Sequence, residues 1–216
     1  MNSKWYLLAA SAALVLAACS IGRPLPEATT YIVEPPAETT RSPEPRRPDT
    51  LRIGNVQVAA PYAGNALVYR LDDVRYVSDP YNAFVADPGA MLGSRMADWF
   101  GHSGPFSTVD QPGSSRPARY VLEATVAELY GDFRQGRRPA AVLTVQLALI
   151  DQSDARPQVV YDRTIATRVD LTKASPEALV RGYGTALAEI LSQVAPEIST
   201  RVAGSSPRPT LSEGPT

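Results

Sequence analysis

Cysteine, histidine, paired acids and clustered arginines are the residues of this chain that could do chemistry. Cys19 is the only cysteine and His102 the only histidine among 216 residues. A lone cysteine has no intrachain disulfide partner. One thiol and one imidazole fall short of the donor set of a transition-metal site. No phosphate loop or dinucleotide fingerprint occurs. Asp72-Asp73 has the pairing that carboxylate acid–base chemistry uses, but between two β-prone runs it reads first as a hairpin turn. His102 follows Gly101 at the expected end of a helix, where a cationic side chain suits the dipole. No catalytic set emerges, and the chain reads as a non-enzyme with no metal and no cofactor.

Two other groups of residues point to binding. Arg134, Arg137 and Arg138 surround Gly136. They form either a solvated basic turn or a contact for phospholipid headgroups or an acidic partner. Tyr69, Tyr76, Tyr81 and Phe84 either supply packing area, as large aromatics commonly do, or line an apolar groove for acyl chains.

The setting of Cys19 is the most specific feature. Lys4 precedes an apolar run from Trp5 to Leu16. That run is about 12 residues, too short for a bilayer core that needs about 20. A positive start, a short apolar stretch and small residues at its end describe a secretory signal over residues 1–18, cut between Ala18 and Cys19. Leu16-Ala17-Ala18-Cys19 resembles the lipobox of bacterial lipoproteins. The resemblance implies a diacylglycerol on the Cys19 sulfur and an acyl chain, palmitate or a relative, on its new amino group. Each buried methylene contributes about 0.8 kcal/mol, and two lipid signals already give stable attachment. Ser20 resembles an outer-membrane address, which implies anchoring at the periplasmic face of that membrane rather than inner-membrane retention.

Apolar residues make up 44% and charged residues 20% of the chain, ordinary values for a globular protein. The net charge of −1 gives no global field to draw in nucleic acid. The 20 prolines gather at the two ends. Residues 19–50 read as a proline-rich lipidated tether with a β-prone island at 31–33, residues 51–202 as a single domain, and residues 203–216 as a disordered tail.

Alternation of period two marks Tyr120, Leu122, Ala124 and Val126 as one strand face, then Leu143, Val145, Leu147 and Leu149, then Val159, Tyr161, Ile165 and Val169. Asp87-Pro88 opens a helix with Leu92, Met96, Trp99 and Phe100 on one side. Ser175-Pro176-Glu177 opens another, with Leu179, Tyr183, Ala186, Ile190 and Val194 as its stripe, ended or kinked at Pro196. The predicted fold is α+β, in the order βββ-α-ββββ-α. Two amphipathic helices should pack on one face of an antiparallel sheet.

The order of motifs then carries a family likeness. The lipobox and Tyr31-Ile32-Val33 are followed by Arg52-Ile53-Gly54, Leu67-Val68-Tyr69-Arg70, and Tyr81-Asn82-Ala83-Phe84 leading into Pro88-Gly89-Ala90-Met91-Leu92. Over residues 16–200 this resembles the ABC-type transport auxiliary lipoproteins, the PqiC-like family, departing from it at Ala83-Phe84. The resemblance implies a periplasmic accessory protein that works with an MCE-domain (mammalian cell entry) protein and an ABC permease and ATPase in lipid transport; the sequence leaves open whether it forms a homo-oligomer. The alternative from another class is a structural envelope-assembly lipoprotein that never handles lipid.

Overall fold

The computed structural model describes residues 27–36 and 46–204. The signal segment, Cys19 and the residues after Gly204 lie outside the described residues. The chain runs β1 (Thr29–Tyr31), β2 (Arg47–Val58), a 3-10 turn (Ala60–Tyr62), β3 (Ala66–Arg70) and β4 (Tyr76–Phe84). Helix α1 (Pro88–Ser103) follows, then β5 (Phe106–Asp110), β6 (Tyr120–Asp132), β7 (Ala140–Asp151), β8 (Gln158–Asp170) and helix α2 (Pro176–Gly204). This is the expected order with the extra strand in front, displaced to 29–31 from the β-prone island at 31–33. Strand β2 also starts earlier than residue 51, at Arg47.

Strand β6 is the axis of one eight-stranded sheet. One of its edges carries β7, which in turn carries β8, both antiparallel. The other edge is divided. Strand β2 runs parallel to its first half, from Tyr120 to Val126, and β3 runs parallel to Gly131-Asp132. Strand β5 lies outside β2, and β4 and β1 lie outside β3. The sheet is therefore mixed. The antiparallel expectation holds for the β6–β7–β8 meander and the β3–β4 hairpin. The β1–β4, β2–β5, β2–β6 and β3–β6 pairs are parallel. Short loops join only antiparallel neighbours. A strand that meets its partner after a long intervening segment, as β2 meets β6, is free to pair in parallel.

Both helices cover the same face, α1 over β2 and β5 and α2 over β7 and β8. Their caps are local and chemical. Asp87 Oδ1 accepts from the Ala90 N–H (2.8 Å) and Ser175 Oγ from the Ala178 N–H (3.3 Å), with proline next in each case. Every expected core residue of the two helix stripes and of β6 and β7 is buried.

Two local expectations change. Val159 was expected inward but is 61% exposed. An extra residue, Val160, bulges from β8 between the Tyr161–Leu149 and Val159–Ile150 pairs, and one inserted residue turns the next side chain to the opposite face. Helix α2 does not end at Pro196 but continues to Gly204, into the first residues assigned to the tail. Interior proline costs about 3 kcal/mol. Fully burying Ile198 and Val202 beyond it recovers about 1.5–3 kcal/mol each, enough to hold the last turns in place.

The segment after β1 crosses the helices as a strap. Val33 is wholly buried and its N–H reaches Met91 Sδ (3.4 Å). The Glu34 carbonyl lies over α2 at Gly184, where a Cβ would stand 2.2 Å from the oxygen, so only glycine permits the crossing. Arg46, arriving toward β2, donates to the carbonyls of Gly101 and His102 and closes the end of α1.

Candidate functional site

The arginine turn sits at the C-terminal end of β6 and is held by acids. Asp132, wholly buried, receives both Nε (2.8 Å) and an outer nitrogen (2.8 Å) of Arg134, and Arg168 from β8 adds a third contact (2.6 Å). Asp73, from the β3–β4 turn, takes the remaining outer nitrogen of Arg134 (3.0 Å). Hydrogen bonds from Arg134, then those from Arg168, hold the Asp132 carboxyl well below the usual carboxylate range against the upward push of burial. Asp132 in turn raises Arg134. Gly136, with φ of 76°, lets the turn reverse.

The three predicted arginines therefore separate. Arg134 has a 13% exposed side chain with its donors taken, and its role is to hold the turn. Arg138 is 86% exposed and only loosely opposed by Asp170 at 3.9 Å. Arg137 is exposed as well. A cleft of about 510 Å³ runs between the two turns, lined by Asp72, Asp73, Arg75, Phe133, Arg134 and Arg137. Its mixed charges suit an ionic protein surface better than an acyl chain. Asp72 Oδ1 accepts from the N–H groups of Val74 (3.0 Å) and Arg75 (2.7 Å), which makes the acid pair a turn.

The four aromatics do not meet in one groove. Tyr69 stacks on Phe133 at 5.0 Å and donates to Asp79 Oδ2 (2.6 Å). Phe84 is buried against Tyr183 at 6.1 Å. Both belong to the helix-covered core. Tyr76 points to the other face, edge-on to Tyr130 (5.3 Å) and Tyr62 (6.5 Å), with the Arg70 guanidinium 5.6 Å from its ring centre. Tyr81 is 39% exposed. Tyr69 and Tyr76 take opposite faces by alternation across the β3–β4 pair, and the register irregularity in β4 between Ser78 and Ala83 puts Phe84 on the face opposite Tyr76, which precludes a shared groove.

The structure assembles a different aromatic group, Tyr62, Tyr76 and Tyr130, over Val68 and Val142 on the face opposite the helices. Tyr62 comes from the 3-10 turn and Tyr130 from β6 after a bulge between Val126 and Glu128. Only the bulge, invisible in the residue pattern, places Tyr130 on that side. Burial first, then neighbouring Tyr76, pushes the Tyr62 hydroxyl up to about 12. His102 Nδ1 donates to the Asp98 carbonyl (2.6 Å) in the last turn of α1, at the position expected from the helix dipole.

Among the described residues no three His, Cys, Asp or Glu side chains are placed to hold a metal ion, and no helix is long and apolar enough to cross a membrane.

The model of the ABC-type transport auxiliary lipoprotein component family matches residues 31–195, from the strap to late α2. The chain belongs to that family, so it is an auxiliary component of an ABC-type transport system and is membrane-associated through a lipid anchor. A Xanthomonas campestris protein of the DUF330 family shares the fold at 18% identity, with a TM-score of 0.69 over 82% of this chain and 98% of that one. An uncharacterized protein of known structure shares it at 21% identity, with a TM-score of 0.62 over 80% of this chain and 99% of that one. No curated protein matches the sequence.

Proposed function

We propose that this protein is a non-enzymatic, lipid-anchored auxiliary component of an MCE-type ABC lipid-transport system, and that it docks the MCE-domain protein from the periplasmic face of the outer membrane. The family match over residues 31–195 carries the reading. Cys19, in its lipobox setting, supplies the anchor through its diacylglycerol and N-acyl chain. The residues between Cys19 and β1 join that anchor to the folded part. The exposed guanidinium groups of Arg137 and Arg138 are the contacts offered to an acidic surface of the partner, with Arg134 holding their turn in shape.

The test is a pull-down of the MCE-domain protein by a soluble form carrying Cys19→Ser, at low and high salt. Capture by the intact protein is expected. Arg137→Ser with Arg138→Ser should weaken it most at low salt, because exposed charge contacts are screened. No capture at either salt would overturn docking. Metabolic labelling with a clickable fatty acid tests the anchor, and equal labelling of wild type and Cys19→Ser would remove it.

A further inference from the structure

Seven large apolar side chains stand exposed among the described residues, and six of them gather on one corner of the sheet: Ile32, Val74, Tyr76, Val77, Tyr81 and Val85. Exposed apolar residues scattered singly are ordinary, but six of seven along one strand and its outer neighbour make a patch. Tyr76, Val77 and Tyr81 belong to β4, Val74 sits at the tip of the β3–β4 hairpin, and Val85 directly follows the strand. The parallel register of β1 with β4 sets Tyr31 beside Phe84, both packed toward the helix-covered core. The Val85 N–H donates to the Tyr31 carbonyl and carries the pairing one step on. Ile32 and Val85 therefore stand together on the open face, 45% and 56% exposed.

Charge does not define this patch. At the hairpin tip Arg75 pairs with Asp72 (3.2 Å) and Arg70 with Asp73 (3.8 Å). Asp79 is occupied by the Tyr69 hydroxyl (2.6 Å) and the Tyr81 N–H (2.8 Å). What remains free is branched aliphatic surface and tyrosine. A tyrosine joins an apolar ring to a hydroxyl, a combination suited to the boundary between acyl chains and headgroups.

The entry point of the chain says what covers it. Cys19 precedes Thr29, the first residue of β1, by ten residues, a reach of at most about 35 Å. Strand β1 is the outermost on its side of the sheet and lies directly against β4, so the anchored segment joins the fold at the patch. The opposite edge, β8, is five strand spacings away, roughly 24 Å. A short tether ending here keeps this corner beside the bilayer, and apolar side chains there gain by leaving water.

We propose that the β1–β4 corner rests on the bilayer that holds Cys19. Its valine, isoleucine and tyrosine side chains enter the level of the upper acyl chains, and β8 faces away from the membrane. The proposal rests on the Cys19 anchor described under the proposed function and adds the orientation of the folded part.

Trp99 is the single indole from residue 19 onward and is buried, so an added tryptophan reports its own surroundings. The lipidated mature protein is placed on vesicles of phosphatidylethanolamine and phosphatidylglycerol with brominated acyl chains. Val85→Trp should lose most of its added emission relative to unbrominated vesicles. Val159→Trp, at a similarly exposed valine on β8, should keep its emission. The loss at residue 85 should persist at high salt and on neutral phosphatidylcholine vesicles, because the contact is apolar. Tyr81→Trp repeats the measurement should Val85→Trp melt early. Quenching at residue 85 no greater than at residue 159 would overturn the proposal. So would an emission at residue 85 that shifts with the MCE-domain protein and not with vesicles, which would assign the patch to a protein partner. Failure of the anchor reads differently, since the mature protein would then not float with vesicles. The same tryptophan variants, carrying Cys19→Ser and held on nickel-chelating vesicles by an amino-terminal histidine tag, decide the contact in that case by the same comparison.

Discussion

On the helix-covered face, β6 and β7 present Leu122, Ala124, Leu143, Val145 and Leu147, all buried under α1 and α2. On the opposite face the same strands present Glu123, Thr125 and Gln146 to solvent. Toward the end of β6 that second face closes over Val68, Tyr130 and Val142, with Asp132 buried beside Arg134 and Arg168. The first face is held by apolar area, which is non-directional and nearly indifferent to pH and salt. The second is held by ring geometry and ion pairs, which are directional and sensitive to both. A lipoprotein that must stay folded while a partner engages it gains from keeping the two kinds of stabilisation apart.

The largest effect should come from charging the covered face. Leu147→Asp places an unpaired carboxylate at a wholly buried position and should cost upward of about 4 kcal/mol, enough to unfold the domain. Gln146→Lys, one residue earlier and facing Asp162 (3.1 Å), should stay within about 0.5 kcal/mol of wild type. Equal melting temperatures for the two would break the distinction between faces. Thr144 is no substitute as an open-face control, because it is buried with its hydroxyl bonded to Glu128 (2.6 Å).

Next comes the ionic end of the open face. Asp132→Ala leaves Arg134 without its bidentate partner and should cost about 2–3 kcal/mol in urea unfolding. That is less than a fully buried pair, since Arg168 is 41% exposed. The same group sets an acid response. Its folded carboxyl lies below its unfolded value of about 4, so its stabilisation is complete above that pH and is lost as pH falls from there through the folded value. A series of unfolding curves should therefore show wild type losing stability on acidification more steeply than Asp132→Asn. Parallel pH profiles would mean that the ion pairs contribute nothing.

A smaller effect belongs to the tyrosines. Tyr62→Ala removes a stacked and an edge-on partner and should cost about 1 kcal/mol. With its hydroxyl raised from 10.0 to about 12, Tyr62 contributes stability that is intact below pH 10 and fades as pH rises through 12. Tyr62→Phe should flatten that alkaline loss, as followed by circular dichroism. Smallest of all, Arg137→Ser with Arg138→Ser should leave the melting temperature unchanged while altering only partner binding, whereas Arg134→Ser should lower it.

The covered face was legible in the sequence because its signals are local. Alternation from Leu143 to Leu149, the stripe from Leu179 to Val194, and the caps at Asp87 and Ser175 each involve residues a turn or a pleat apart. The candidate site was legible only in part. The spacing of Arg134, Arg137 and Arg138 marked a turn, but the acid that immobilises Arg134 comes partly from a hairpin 61 residues away. The proposed groove failed because a register irregularity in β4, between Ser78 and Ala83, puts Tyr76 and Phe84 on opposite faces of the sheet.

By itself, then, the sequence determined the strand and helix order, the inward faces, the helix starts and the chemical singularity of Cys19. Those follow from propensity, periodicity and composition, which a chain carries before it folds. The tertiary structure alone decided the parallel pairing of β2 with β6, the bulges that turned Val159 outward and Tyr130 to the open face, and the strap seated on Gly184. Each of these depends on which distant segments come to share an edge or a surface. Neither hydrogen-bond register nor the filling of a gap between two helices is written in any one stretch of residues.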